Sequence, residues 1–239
     1  GKRTLRRPTV KDTKPRGDLT VAEILKYSSN IGVGKIGLEL GAKSYGQYLQ
    51  NLGFGKRTGL PLMSESPGIL RDPAKWPETD LITASFGQSF SATGAQMAQA
   101  YLCLANGGVK KPLQLLKDAS LRTSGGNERV FTAEADREVL SMLKAVVQDD
   151  DGGGRQARIA GLEIGGKTGT AQKADKGIYG EKRTASFVGM VPAEKPRYPV
   201  RVVVDEPTKS GSGPARAPPA SGRVPPRTAR HTSPPPEET

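Results

Sequence analysis

Histidine occurs once in the 239 residues, as His231, in a stretch of Pro, Arg and Ser with no apolar periodicity around it. A Ser–His–Asp triad, a Cys–His pair or a His-ligated zinc site each needs an ordered imidazole. Those chemistries are excluded, and any acyl or group transfer must take its base from Lys, Asp, Glu or Tyr. No metal and no cofactor is expected. Cys103 is the only cysteine, so no internal disulfide can form and the redox compartment is not readable from it. It falls inside an apolar helical pattern and is expected to be a buried core thiol, not a nucleophile. No run approaches the roughly 18–20 apolar residues of a membrane span, and no signal-peptide pattern opens the sequence. As it stands, the chain is expected to be soluble or separated from an anchor.

Hydrophobic residues reach only 35%, and 19 prolines with 30 glycines point to irregular segments. The net charge of +12 invites a nucleic-acid reading, but its location argues otherwise. Residues 1–17 hold seven Lys/Arg against Asp12, a net of +6, and residues 210–239 add +2. The body between them carries only +4, so it is no basic nucleic-acid surface and no nucleic-acid partner is expected.

Residues 1–17 read as a basic, extended segment. Thr20 opens a helix, with Glu23 completing a Thr-x-x-Glu capping box. The helix gives way at Ser28-Ser29-Asn30, residues that favour caps and turns. Further helices are expected from about Ile31 to Leu40 and from about Ser44 to Leu52, stopped by Gly41 and Gly53. Residues 54–83, which include the lone Trp76, read as a long irregular excursion, functional or packed. Thr93 caps a helix whose apolar side is Met97, Ala98, Ala100, Tyr101, Leu102 and Leu104. Residues 109–131 suit a short hairpin turning at Ser124–Asn127. A helix from Thr132 to about Gln148 follows, with Val139, Met142, Leu143, Val146 and Val147 as its stripe. Asp149–Gly154 breaks it. Strands are expected over Leu162–Ala171, Thr184–Val191 and Tyr198–Asp205, the last two joined as an antiparallel hairpin. Helices first and strands last argue an α+β fold, helices packed on an antiparallel sheet. From Ser210 the composition turns to Pro, Arg, Ala, Ser, Gly and Thr, which cannot offset its ordering entropy, so disorder is expected.

Two motifs compete for the segment Gly165–Ala171. Gly161–Thr168 satisfies the phosphate-loop pattern G-x-x-x-x-G-K-[ST], and Arg201–Glu206 resembles a strand ending in a magnesium-holding Asp205. That nucleotide reading needs an apolar strand before the loop and a helix starting at Lys167-Thr168. Residues 155–160 make a poor strand, and Gly169 follows the threonine at once. The second reading joins Lys167-Thr168-Gly169-Thr170 to Ser28-Ser29-Asn30. Ser-x-Asn followed by Lys-Thr-Gly matches two of the three motifs of the penicillin-recognising serine enzymes, in their order.

The surrounding text decides between them. Leu25–Gly32, Gly53-Phe54-Gly55, Phe86-Gly87-Gln88, Ala98–Tyr101, Ala105–Gly108, Gly166–Gln172 and Ser186–Gly189 together resemble the transpeptidase domain of class B penicillin-binding proteins. The nearest likeness is to the division-specific peptidoglycan D,D-transpeptidases, and it covers residues 17–209. The resemblance implies an acyl-serine reaction. A serine attacks the penultimate D-alanyl carbonyl of a stem peptide, D-alanine leaves, and a neighbouring strand's amine takes the acyl group. It implies stem peptides ending in D-Ala-D-Ala and β-lactams as ligands, and division-machinery proteins as partners of the full-length protein. It also implies a place at the periplasmic face of the bacterial inner membrane. Ser28 is then expected in a proton relay with Lys167, and Asn30 on the substrate amide. Thr168 and Thr170 are expected to hold the terminal carboxylate, with the Thr170 N–H as one oxyanion donor. A substrate strand lying along Lys167–Ala171 would account for Gly169. Serine–lysine chemistry of this kind needs no histidine.

The match departs from the family at both ends. No Ser-x-x-Lys, the motif of the nucleophile, precedes Ser28. Ser141-Met142-Leu143-Lys144 has the spacing but stands between the other two motifs, on the expected polar face of its helix. The chain is therefore expected to be the C-terminal part of a longer protein and silent by itself. Residues 210–239 lack the expected Gly-rich apolar stretch and closing helix, as if the reading frame had shifted. A non-catalytic module binding wall peptide or division proteins is the third alternative.

Overall fold

A computed structural model describes residues 10–115, 125–175 and 178–207. His231, the tail from 210, residues 1–9 of the basic segment and Ser124 of the expected turn lie outside the described residues. Thr20 starts α1 (Val21–Tyr27) through the capping box foreseen from sequence, its side chain accepting from the Glu23 N–H while Glu23 takes the Thr20 N–H at 2.8 Å. Ser28 ends α1 in the left-handed region, and Ser29 caps α2 (Asn30–Leu40) one residue later. Helix α3 spans Ala42–Asn51.

The excursion over 54–83 is less irregular than its composition suggests. A 3₁₀ turn at Pro73–Lys75 leads into α4 (Glu78–Ser85), which buries Leu81, Ile82 and Ala84. Helix α2 meets it with a glycine face: a Cβ on Gly37 would lie 2.0 Å from the Ser85 hydroxyl oxygen. That close approach gives so short a helix its burial. Trp76 is packed with Leu49, Phe54, Leu81 and Ala84 in one core cluster.

Helix α5 (Gly94–Ala105) starts at Thr93 as expected, and its apolar side is half-buried, with Met97 and Ala100 packed against the Trp76 cluster and Tyr101 and Leu104 turned to α6, while Gln96, Gln99 and Cys103 are its buried residues. Gln96 is fully buried because its amide donates to the Lys56 and Pro67 carbonyls at 2.7 and 2.8 Å, tying the preceding loop to the helix. Burial pushes the Cys103 thiol up to about 11, which fits a core thiol. Strands β1 (Val109–Lys110) and β2 (Glu128–Arg129) pair antiparallel. Helix α6 (Ala133–Gln148) buries Asp136, Leu140, Leu143, Val146 and Val147, with Val139 and Met142 only half-buried.

Three strands complete the fold in the order β3 (Gly165–Asp175), β4 (Ile178–Val191), β5 (Tyr198–Asp205), all antiparallel. Lys167 stands opposite Val188 and Gly169 opposite Ser186. Met190 of β4 packs with Leu140 and Leu143 of α6, joined by Leu25 of α1 and Tyr101 and Leu104 of α5. Phe187 packs with Val147, Ala157 and Ile164. The architecture is α+β, with helices laid on an antiparallel sheet.

Candidate active site

Lys167 and Ser28, 139 residues apart in sequence, are joined by a hydrogen bond from the lysine Nζ to the serine Oγ. The lysine also reaches back to its neighbour's carbonyl, Thr168 O, at 3.1 Å. Desolvation of this half-buried amine lowers its pKa from 10.5 to about 8. An amine in that state can both give up and take back a proton near neutral pH. Ser28 is exposed, and its left-handed backbone (φ 56°, ψ 47°) swings the hydroxyl out of the helical path.

The other expected residues divide. Thr168, Gly169 and Thr170 follow Lys167 along β3, an outer strand of the sheet whose far edge has no partner strand among the described residues. Thr168 is half-buried and Thr170 exposed. Gly169 has a cause the sequence did not suggest: a Cβ there would lie 2.8 Å from Ser186 Oγ across the ladder. Asn30 follows Ser28 by two residues, but its side-chain amide donates to the Lys11 carbonyl at 3.3 Å. The segment before α1 is held there by Asp12, which accepts from Ser29 Oγ at 2.6 Å and from the Ile31 N–H at 3.1 Å. So residues 10–17, read as merely extended, are anchored on the loop that carries Ser28 and Asn30. A cavity of about 970 Å³ lies between this segment and α2; its lining includes neither Ser28 nor Lys167.

The phosphate-loop alternative fails on geometry. Lys167 and Thr168 sit inside β3, paired to Val188 and Phe187, so no helix N-terminus opens there toward a phosphate. Asp205 is engaged by Lys173 at 2.9 Å and Thr184 at 3.0 Å. On α6, Ser141 is exposed, and Lys144 is committed to Glu163 and Glu194, each at 2.8 Å. Sequence reasoning missed the acidic grip on the end of α1. Lys26 Nζ lies 2.9 Å from Asp149 and 2.7 Å from Asp151, and Tyr27 donates its hydroxyl to Asp151 at 2.6 Å. The run Asp149–Asp151 was visible as a helix break, but nothing in local spacing ties it to a lysine 123 residues earlier.

Residues 2–222 match the family described as the penicillin-binding protein transpeptidase domain. The chain is 37% identical over 204 residues to a probable peptidoglycan D,D-transpeptidase, PbpC, of Pseudomonas aeruginosa, covering 85% of this chain and 35% of the relative. It is 33% identical over 199 residues to the peptidoglycan D,D-transpeptidase FtsI of Escherichia coli, covering 83% and 33%. The chain thus spans about a third of the length of these curated relatives. Among solved structures it is similar to the apo transpeptidase domain of penicillin-binding protein 3 from Burkholderia pseudomallei. There the TM-score is 0.78 at 33% identity, over 88% of this chain and 62% of that one. It is also similar to penicillin-binding protein 3 of Mycobacterium tuberculosis complexed with ampicillin, with a TM-score of 0.81 at 30% identity over 96% and 56%.

Proposed function

The chain belongs to the penicillin-binding protein transpeptidase domain family, and from that premise we propose that it carries the proton relay and substrate strand of a peptidoglycan D,D-transpeptidase of septal wall synthesis. The observation that carries this reading is the bond between Lys167 Nζ and Ser28 Oγ, made by an amine whose pKa burial lowers to about 8. Such a pair passes a proton to and from an attacking serine without histidine. Ser28 and Lys167 are the relay and Asn30 holds the substrate amide. Thr168 and Thr170 hold the D-alanyl carboxylate, with the Thr170 N–H as an oxyanion donor. The free edge of β3 suits an extended stem peptide added as a further strand beside Gly169. β-Lactams occupy the same edge. Residues 18–209 form the domain that does this.

The serine that becomes acylated has no Ser-x-x-Lys counterpart before Ser28 in these 239 residues. The chain by itself therefore binds without forming an acyl-enzyme. Contacts with the division machinery, and a position at the periplasmic face of the inner membrane, belong to the whole protein. Peptidoglycan lies on that side, and among the described residues no helix is long and apolar enough to cross a membrane.

Titrating the isotopically labelled chain with an N-acyl-D-Ala-D-Ala peptide tests the proposal. Amide shifts are expected at Asn30 and along Lys167–Ala171, and Lys167→Ala should abolish them. Fluorescent penicillin should leave no covalent adduct. Shifts confined to other surfaces would sink the substrate-strand reading, and an adduct on Ser28 or Ser141 would overturn the assignment of roles.

A further inference from the structure

Helix α1 has seven residues and buries none of them. A helix that short is marginal in water unless something outside it holds it. Its last residues nevertheless have to deliver Ser28, in a left-handed conformation unfavourable to a non-glycine residue, to within reach of Lys167. Leu25 rests half-buried against Leu140, Leu143 and Met190, and the end of the helix is held by one loop, Asp149–Gly154, whose contacts fall on the two residues before Ser28. Asp149 and Asp151 flank the Lys26 ammonium at 2.9 and 2.7 Å, Tyr27 donates to Asp151 at 2.6 Å, and the Gly153 N–H donates to Lys26 O at 3.4 Å. The Lys26 side chain is only 15% exposed, so this is a shielded cation between two anions, not a loose surface pair. Arg16 lies over the Tyr27 ring at 3.4 Å.

The loop is itself rigidly placed. The Gly154 N–H donates to Val146 O at 2.9 Å and the Gly152 N–H to Asp149 O at 3.0 Å. A Cβ on Gly152 would lie 2.3 Å from Val146 O, so the chain can close this tightly only with glycine there. Val146 and Val147 beneath it are fully buried. The same helix fixes the other partner. Gly165, at the start of β3, lies against the α6 backbone, where a Cβ would meet Lys144 N at 3.4 Å, and Lys144 pairs with Glu163 just before the strand. One helix thus fixes both sides of the Ser28–Lys167 contact.

We propose that Lys26 is a positioning residue, gripped by Asp149 and Asp151 so that Ser28 is held on Lys167. This rests on reading Ser28 and Lys167 as the working pair. Releasing the grip lets the end of α1 swing away, admits water to Lys167, and returns its amine toward the ordinary lysine range.

The test is the pH profile of Lys167 acylation by an amine-reactive probe, read residue by residue by peptide mass spectrometry on the whole chain. In the wild type, half-maximal reactivity is expected near pH 8. Lys26→Met should move that midpoint up by about one unit or more, so that reactivity at pH 8 falls about fivefold, while amide protection along β3 and β4 persists. Lys26→Arg, which can still span both carboxylates, should restore the wild-type profile. Asp151→Asn keeps the Asp149 pair and should shift the midpoint the same way by less; should Lys26→Met unfold, this variant alone decides. A midpoint near 8 that neither variant moves overturns the positioning role and leaves the Ser28–Lys167 pair intact. A wild-type midpoint in the ordinary lysine range overturns the pair itself, and the positioning role with it.

Discussion

Lys167 comes to its contact with Ser28 from an eleven-residue strand laddered along β4, whereas Ser28 comes from the end of a seven-residue helix that buries nothing. On the strand side the support is burial: Val188, Phe187 and Met190 of β4 are each under 5% exposed. On the helix side Leu25 is only half-buried against Leu140, Leu143 and Met190, and the further support is a capping box at one end and an ionic grip at the other. Apolar burial is neither screened by salt nor titrated by acid, while an ion pair near the surface is both. The two halves of one contact should therefore fail under different conditions. The proposed relay would gain from this division, because the half-buried amine keeps a fixed setting on the strand while the hydroxyl is presented from a small, separately held element.

The largest expected effect falls on the buried side. Phe187 is 3% exposed and packed among Val147, Ala157 and Ile164. Phe187→Ala should cost about 3–5 kcal/mol of unfolding free energy in urea titrations, from lost transfer energy and the cavity left behind. A loss below about 1 kcal/mol would mean that the sheet is not held by its core, and the contrast with α1 would collapse.

Next in size is the cost of enclosing Lys167. Its folded pKa of about 8 lies below its ordinary 10.5. Below pH 8 both states hold the proton, and the folded chain bears the full cost of a desolvated cation. Between about 8 and 10.5 the unfolded chain keeps a proton that the folded chain has released, so stability rises with pH. Relative to Lys167→Met, the wild type should gain about 2 kcal/mol across that window, once partial solvent screening is allowed for. Parallel stability curves for the two proteins would show that the amine is solvated.

Much of this was legible in the sequence, for identifiable reasons. Thr20, Thr93 and Thr132 announce their helices because a cap is a local hydrogen bond between residues three apart. The strands β3 to β5 were legible because alternation and Lys167-Thr168-Gly169-Thr170 are local too. What could not be read is non-local. Helix α4 depends on the glycine face of α2, and Gln96 is buried because the carbonyls of Lys56 and Pro67 come to meet it. Asn30 is named by its motif, yet its side chain donates to Lys11 O, a contact no spacing rule contains. The grip of Asp149 and Asp151 on Lys26 is of the same kind: both halves stand in the sequence, and only the fold brings them together.

The smallest expected effect tests the ionic side alone. Lys26, then Tyr27, hold the Asp151 carboxyl down to about 2 from an ordinary 3.8. The contribution of that pairing is complete above about 3.8 and is lost as the pH falls through about 2, the sense expected for a carboxylate with a depressed folded pKa. Between pH 4 and pH 2, the protection factors of the Ser28 and Ser29 amides, whose N–H groups bond to the Leu25 and Ile24 carbonyls, should fall several-fold. The amides of Lys167–Ala171 should keep their protection over the same interval. High salt at neutral pH should push Ser28 and Ser29 in the same direction, more weakly, because a lysine shielded to 15% is only partly open to screening. If the β3 amides open first, or all open together, the helix end and the strand are one cooperative unit and not two separately supported halves.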